Sequence, residues 1–365
     1  MNKLKSVYDK LAQAHCTAWR RTIESSYLSD GQLQFCRWFL PALYLLFYMP
    51  DYNWIADLPD AWFDPPQLSI AVFFGAFPPL IFLQISQTAL VLCLGALMAG
   101  YKPRLSGLCF CFLHILITSF EYSVGKIDHV AHLFILCFFC FSLGNWGTKL
   151  PEKSFKLPIP CSTLLAITLA FGMFTAGFEK AIRWIDFNSN TSGFLSWYFS
   201  GYFNLDRNLL AAPYINQLPK IMLEFLDYSA VAFELSPLIC LLIGKRFWTA
   251  WCIVACMFHA GTTAMLNISF PYQLFGYLPF LLPAILHKRQ RMSQRLAIVS
   301  IIGLLIIRLT PIWSDYPFLL RTLLLPNQLI LLIFDLLVWL SLAGLGIFSI
   351  YKFTTSNIGI KAPHS

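Results

Sequence analysis

Long apolar runs separated by short polar segments recur along the 365-residue chain. Many of these runs reach about 20 residues, the length at which an α-helix crosses the hydrocarbon core of a bilayer. Hydrophobic residues make up 58% of the chain and charged residues 12%, with a mean hydropathy of +0.64, whereas soluble domains are roughly one quarter charged. The pattern predicts an all-α, polytopic integral membrane helical bundle with a single transmembrane domain over residues 31–352.

The apolar runs predict about ten transmembrane helices. Span eight is the most interrupted, because it contains Pro271, Pro279 and Pro283. The Pro78-Pro79 step predicts that residues 67–77 form a re-entrant or interfacial lead-in to span two. The predicted spans cover residues 32–50, 80–99, 105–124, 128–147, 159–183, 221–243, 246–268, 270–287, 296–313 and 327–351.

Basic residues are concentrated in alternate connecting segments, which also contain most of the 26 Lys and Arg residues. The positive-inside rule therefore places both termini in the cytoplasm, including a tail over residues 353–365, in a plasma or inner membrane. The predicted first outer loop is acidic instead, with Asp51, Asp57, Asp60 and Asp64. Because membrane topology accounts for the net charge of +8, the expected partner is the lipid bilayer, and no nucleic acid is expected.

Residues 1–30 lack the apolar core of a secretory signal peptide. Leu4, Val7, Tyr8 and Leu11 recur at helical spacing, with Lys and Arg between them. This segment is predicted to be a cytoplasmic, basic amphipathic leader on an anionic membrane surface. A solvated leader without such contact is the alternative.

The eleven cysteines lie in predicted spans or on the predicted cytoplasmic side, so a disulfide framework is not expected. Cys137 and Cys140 have CxxC spacing but lie within an apolar helix, where a free cysteine acts as a small hydrophobic residue. His129 and His132 share a helix face, but a metal site requires more ligands. The sequence therefore predicts no metal site.

Ionisable side chains within spans are the candidate functional residues, because burying them in a membrane is costly. The helical rise puts His132 and Lys180 at similar depth near the outer ends of neighbouring antiparallel spans. His259 and His114 are predicted to lie deeper, and Glu234 deepest. Together they predict a polar cavity open to the outer side. The structural alternatives are snorkelling of the lysine, packed histidines, and a glutamate that only satisfies backbone groups freed by a nearby proline.

Spans nine and ten carry one charged residue each at comparable depth, Arg308 and Asp335. Either charge would be very costly alone in an apolar environment. The sequence therefore predicts a structural ion pair between them.

Several short motifs follow one another along the chain in a specific order. The motifs are Phe35-Cys36-Arg37-Trp38-Phe39, Asp128-His129-Val130-Ala131-His132-Leu133-Phe134, Ala176-Gly177-Phe178-Glu179-Lys180 followed by Trp184, Glu234-Leu235-Ser236-Pro237, Phe258-His259 and Ile268-Ser269-Phe270-Pro271-Tyr272. Over approximately residues 30–290, their order and spacing resemble the horizontally transferred transmembrane (HTTM) family, which includes the vitamin K-dependent gamma-carboxylase.

The resemblance implies a gamma-carboxylase-like membrane enzyme with a lysine base and a lipid quinol at an outward-facing cavity. In the carboxylase, the matching lysine is the proposed base that deprotonates a reduced naphthoquinone. Oxygenation then yields a stronger base, which removes a proton from a peptide glutamate so that CO2 can add. The residues implied here are Lys180, His132 and His259 as catalytic residues and His114, Glu234 and Trp184 as residues that bind a reduced quinone.

The resemblance leaves the substrate open. The carboxylase has a large lumenal domain after its membrane part, whereas this sequence ends soon after span ten, so peptide carboxylation is not the expected reaction. One alternative is a non-enzymatic membrane partner in the maturation or export of a peptide or small protein. The other is a haem or electron-carrier protein with His114, His132 and His259 as axial ligands.

Overall fold

The computed structural model describes residues 2–124, 131–149, 159–186, 188, 191–283, 294–314 and 327–358. Within them the regular structure is helical, and Asp64 and Val124 form an isolated β-bridge. The α-helices are α1 (Asn2–Ser26), α2 (Asp30–Leu43), α3 (Leu80–Ala99), α4 (Pro103–Glu121), α5 (His132–Leu143), α6 (Cys161–Trp184), α7 (Gly193–Asn204), α8 (Lys220–Leu235), α9 (Pro237–Ile243), α10 (Lys245–Leu266), α11 (Leu274–Leu281), α12 (Gln294–Ile312) and α13 (Gln328–Ile358).

Among the described residues, five helices are long and apolar enough to cross a membrane: α3, α4, α6, α10 and α13. Helices α8 and α9 form a sixth candidate, bent by 50° at the break between them. The bend lies at Pro237, whose ring cannot continue the hydrogen-bonding of the preceding helix. The prediction of an all-α membrane protein with several spanning helices is therefore confirmed.

A helix is present at the position of each of the ten predicted spans, but not all are long enough to cross alone. Helix α11 contains 8 residues, which corresponds to about 12 Å of helix. The structure thus leaves the predicted total of ten spans and the predicted orientation untested. Residues 128–130 and 284–287, which belong to spans four and eight, lie outside the described residues.

The segment between α2 and α3 contains short helical turns. Helix α2 continues into a π-helical turn over Tyr44–Tyr48. Three 3₁₀ turns follow, at Asn53–Asp57, Asp60–Trp62 and Ile70–Phe73. Within the predicted lead-in 67–77, Leu68 is fully exposed and Phe73 nearly so.

Helix α1 forms where an amphipathic helix was predicted, and its C-terminal end is fixed to the bundle. Ser26 is buried and donates to Thr163 Oγ1 on α6 at 2.8 Å. Lys245 on α10 donates to the Tyr27 carbonyl just after α1, at 3.0 Å. The remainder of α1 is largely exposed.

Helix α7 lies between the predicted spans 159–183 and 221–243, where the apolar runs predict no helix. Ser192 caps this helix by accepting a hydrogen bond from the backbone N–H of Leu195 at 3.2 Å. Its sequence is rich in aromatic residues, and Trp197 and Phe203 are exposed. Helix α7 packs against α6, α8 and α10, and so lies beside the candidate residues of α6.

The long helices pack around a continuous apolar core that contains many buried aromatic rings. Helix α6 packs against α5, α8 and α9, and α10 packs against α11 and α13. All eleven cysteines are free thiols. Lys180, Glu234 and His259 lie on α6, α8 and α10, beside α11.

Candidate functional site

Lys180 on α6 forms a hydrogen-bonded ion pair with Glu234 on α8, through Nζ and Oε1. The Lys180 side chain is 23% exposed and that of Glu234 is 4% exposed. The pair therefore extends from the partly open end of α6 into the protein interior. Lys180 is directed towards a protein partner rather than towards the surrounding solvent or lipid, so the snorkelling alternative is wrong.

Gly177 allows α6 and α8 to approach closely enough for this pair to form. A Cβ atom at Gly177 would lie 2.7 Å from the Glu234 Cβ and 2.9 Å from the Glu234 backbone carbon, closer than real atoms pack. Gly177 and Lys180 are three residues apart and therefore lie on the same face of α6. The small residue and the cation thus face the same segment of α8.

Trp184 lies one turn beyond Lys180 and covers its ammonium group. Lys180 Nζ is 5.5 Å from the centre of the Trp184 ring system, within the range of a cation–π interaction. The indole of Trp184 also packs against Gly193 of α7. A Cβ atom added at Gly193 would lie 2.2 Å from atoms of the indole ring. The absence of a side chain at Gly193 lets α7 close over Trp184.

Asp227 on α8 fixes the beginning of α7. Its carboxylate accepts hydrogen bonds from the backbone N–H groups of Gly193 at 3.0 Å and Phe194 at 2.7 Å, and it is fully buried. The sequence-based prediction missed this residue. The available signal was its position seven residues before Glu234, which places both carboxylates on the same face of α8.

The loop between α6 and α7 has its own carboxylate, Asp186. It accepts hydrogen bonds from the Thr191 hydroxyl at 2.6 Å and from the Asn188 backbone N–H at 2.9 Å. Both bonds favour the charged form, so the pKa of Asp186 is lowered from its usual value. This exposed turn leads directly into α7 and helps set its starting position.

His259 on α10 lies on the interior side of the ion pair. Its Nε2 is 3.1 Å from the Tyr277 hydroxyl, which donates to Met173 Sδ at 3.7 Å. The direction of the His259–Tyr277 hydrogen bond depends on which imidazole nitrogen carries the proton, so Nδ1 of His259 accepts when Nε2 is protonated and donates otherwise. His259 also interacts electrostatically with Lys180. Tyr277 is a further residue of this site that the sequence-based prediction missed.

Two buried polar atoms at this site have no hydrogen-bond partner among the residues that the structure describes: Glu234 Oε2 and His259 Nδ1. Buried polar atoms in proteins are nearly always paired. Glu234 is on α8 and is paired with Lys180, and His259 is on α10 and is in contact with Tyr277. They are therefore available to a ligand with hydrogen-bond donors.

The break between α8 and α9 does not require the Glu234 carboxylate. The Phe233 carbonyl at the break accepts from Ser236 Oγ at 2.8 Å and from Trp251 Nε1 at 3.2 Å. These two donors satisfy the backbone where the proline interrupts the helix. The alternative in which Glu234 only serves the broken backbone is therefore wrong, and its carboxylate is available to Lys180.

The described partners of Lys180 are Glu234 and Trp184, and His132 is not among them. His132 is exposed at the first residue of α5 and forms no hydrogen bond, ion pair or ring contact with another described residue. It shares a helix face with Phe139, which is also exposed. His129 lies outside the described residues.

His114 belongs to a different cluster. It is 1% exposed, and its ring centre lies 6.0 Å from Tyr44, 5.7 Å from Phe110 and 5.4 Å from Phe134. Within the described part of the chain it makes no contact with Lys180 or Glu234. The predicted grouping of His114 with the lysine was therefore wrong, because α4 packs against α3 and α5 rather than against α6.

Arg308 and Asp335 each have a partner different from the predicted one. Arg308 Nε donates to the Leu45 carbonyl, and the Asp335 carboxylate accepts a hydrogen bond from Ser269 Oγ. The π-helical turn brings the Leu45 carbonyl to Arg308, a backbone detail that residue depth alone does not reveal.

Two other features do not add to this site. In the described ranges, no group of three or more His, Cys, Asp or Glu side chains is arranged to hold a metal ion. A groove of about 490 Å³ lies elsewhere, between α1 and α9, and is lined by Lys10, Arg21 and Leu242 among others.

Comparison of the chain with models of known protein families, with curated protein sequences and with solved structures gives no match. The fold and the site define an all-α membrane protein with an ion pair between two of its apolar helices. Within that class, the resemblance to the HTTM family depends on the sequence motifs alone.

Proposed function

We propose that the chain is an HTTM-type membrane enzyme in which Lys180 acts as a base towards a lipid-soluble hydroquinone. In this proposal both termini are cytoplasmic and the site opens towards the outer side. The observation that carries the proposal is the Lys180–Glu234 ion pair within apolar helices. Ion pairs at such positions are costly to form and characteristically serve function.

The paired carboxylate gives the lysine a route to its basic form. As an ion pair, Lys180 holds its proton and cannot act as a base. When an apolar ligand removes water from the site, the charged forms lose solvation, and proton transfer from Nζ to Glu234 yields a neutral pair. Neutral Lys180 can then accept the proton of an acidic O–H group, so Glu234 stores the first proton while Lys180 takes the second.

The unpaired acceptors favour a ligand with two hydroxyl groups. Glu234 Oε2 and His259 Nδ1 are buried and lack partners in the described part of the chain. The carboxylate oxygen can accept a hydrogen bond, and Nδ1 can accept one when Nε2 carries the imidazole proton. A hydroquinone carries two O–H donors on opposite sides of an apolar ring. His259 would orient one hydroxyl and the ion pair would receive the other.

Trp184 and α7 have supporting roles in this proposal. The Trp184 indole lies over the Lys180 ammonium group, so it holds the side chain in position and limits its contact with water. Helix α7, fixed through Asp227, covers the indole. Exclusion of water strengthens the electrostatic interactions on which proton transfer depends.

The proposal is tested by identifying the lipid-soluble compounds that copurify with the protein, using extraction and mass spectrometry. We expect a quinone, retained by the wild type and by His132→Phe, and largely lost from His259→Phe. Both variants replace an imidazole with a benzene ring, but only His259 contacts the site. Absence of any quinone, or equal retention in both variants, would contradict the proposal. A Soret band would instead favour the haem alternative, and a copurifying peptide without quinone would favour the non-enzymatic partner.

A further inference from the structure

A second buried charge, Arg308 on α12, lacks a counterion in the described part of the chain. Arg308 is 4% exposed. Its Nε donates to the neutral Leu45 carbonyl, and its Nη2 has no hydrogen-bond partner. The ion pairs within 4 Å among the described residues are Lys180–Glu234 and Glu179–Arg183, and neither includes Arg308. An uncompensated buried cation is strongly unfavourable.

Tyr44 lies next to this cation. It is the first residue of the π-helical turn that also contains Leu45, whose carbonyl accepts the hydrogen bond from Arg308 Nε. Short π-helical segments inside helices occur often at functional sites. Tyr44 is fully buried, so the guanidinium and the phenol share an environment closed to bulk water.

His114 lies on the other side of Tyr44, at 6.0 Å between ring centres. It is buried, and both of its ring nitrogens lack partners among the described residues. Phe110, Phe134 and Tyr52 surround the imidazole at 5.7, 5.4 and 6.5 Å. Tyr44 thus links two elements that carry unpaired polar atoms, since its ring lies beside His114 of α4 and the next residue, Leu45, accepts from Arg308 of α12.

The donors available in this region define the chemistry of a ligand. A guanidinium group only donates hydrogen bonds, a phenol can donate one, and a neutral imidazole donates from one nitrogen. Oxygen atoms that carry negative charge are the acceptors that satisfy such groups best. A single arginine cation is offset by one negative charge.

We propose that Arg308 and Tyr44, with His114 beside them, form an internal binding site for a monovalent carboxylate-type oxyanion. The site is separate from the Lys180–Glu234 pair and does not depend on the function proposed for it. The carboxylate can belong to a small free anion or to the head of a fatty acid, since both present the same chemistry to Arg308.

The test is the thermal stability of the purified full-length protein in a buffer free of carboxylates and halides, titrated separately with formate, decanoate and chloride. A ligand that binds only the folded state raises the melting temperature with concentration. We expect a saturable rise of about 2–4 °C with formate or decanoate. A rise with both indicates a free-anion site, and a rise with decanoate alone indicates a fatty-acid head.

Variants locate the effect. Tyr44→Phe removes only the hydroxyl and should weaken carboxylate binding about tenfold or more, and Arg308→Gln should abolish the rise. Arg37→Gln is the matched control, because Arg37 is another arginine within a helix of the bundle that packs instead against Gly100; it should respond like the wild type. The proposal is overturned if no carboxylate stabilises the wild type, if chloride acts as strongly, or if both Tyr44→Phe and Arg308→Gln respond as the wild type does.

Discussion

Lys180 and Glu234 pair across α6 and α8 at the point where Gly177 removes the steric barrier between the two helices. The glycine and the lysine lie one helical turn apart, so the contact and the charge belong to a single structural unit. This unit explains why a strongly apolar helix carries a cation near its end. The charge is matched by a buried carboxylate on the adjoining helix.

The close approach at Gly177 predicts a sharp difference between two glycines of α6. Gly177→Ala would place its Cβ 2.7 Å from the Glu234 Cβ, and we expect a loss of about 1–3 kcal/mol in the free energy of unfolding. A Cβ added at Gly172 would have no heavy atom within 4 Å, so Gly172→Ala should be neutral or stabilising by up to about 1 kcal/mol. Chemical or thermal unfolding of both variants in the same detergent measures this difference. If both variants changed the free energy of unfolding equally, α6 and α8 would be able to move apart at Gly177 without cost.

The ion pair predicts an asymmetric pattern of stability. Lys180→Met leaves the Glu234 carboxylate buried without a counterion and should cost about 3–5 kcal/mol. Glu234→Gln should cost less, because Lys180 is 23% exposed and can reach water. The double variant should lose less than the sum of the two, a coupling that a double-mutant cycle measures. Strict additivity would mean that the pair contributes no interaction energy.

Helix α7 should depend on Asp227 for its position. Asp227→Asn replaces one of the two carboxylate acceptors of the Gly193 and Phe194 amides with an amide donor. We expect faster hydrogen exchange across α7, measured by mass spectrometry, with little change in α10. Asp206→Asn is the control, since Asp206 is exposed and bonded locally to Asn208. Unchanged exchange in Asp227→Asn would show that other contacts fix α7.

The predicted orientation can be tested with single cysteines in a background from which the eleven native cysteines have been removed. Asp9 on α1 and Gln217 before α8 are both exposed. With both termini in the cytoplasm and the segment around Gln217 outside, a membrane-impermeant maleimide should label Gln217→Cys in intact cells. It should label Asp9→Cys only after the membrane is permeabilised. Labelling of both from the same side would refute the orientation.

The apolar runs predicted where helices lie because helix length and hydrophobicity are local properties. Lys180 and Trp184 were also predictable as neighbours, since their spacing places them on one helix face. The choice of Glu234 rather than His132 as the partner was not predictable from depth alone. It depends on which face of each helix meets its neighbour, and that is set by the close contact at Gly177.

Helix α7 was missed for a related reason. It is short, and its aromatic residues occur on exposed as well as buried faces, so periodicity does not separate it from a loop. Its start depends on Asp227, which is more than 30 residues further along the chain. The hydrogen-bond partner of Arg308 was not predictable for a similar reason. The sequence has Asp335 at similar depth, but in the structure the Asp335 carboxylate accepts a hydrogen bond from Ser269.

The most direct test of the central proposal is the ionisation of a bound hydroquinone at Lys180. Reduced naphthoquinone is added to the purified protein without oxygen, and the ultraviolet difference spectrum reports whether a hydroxyl group of the ligand is deprotonated. With the wild type near neutral pH, we predict the spectrum of the deprotonated hydroquinone. With Lys180→Met and with Lys180→Arg, we predict the spectrum of the protonated hydroquinone, because methionine has no basic group and the guanidinium group of arginine stays protonated. His132→Phe should behave like the wild type, because His132 is exposed and no described contact joins it to Lys180 or Glu234. The spectrum of the protonated hydroquinone with the wild type, or of the deprotonated hydroquinone with Lys180→Met, would contradict the role of Lys180 as the base.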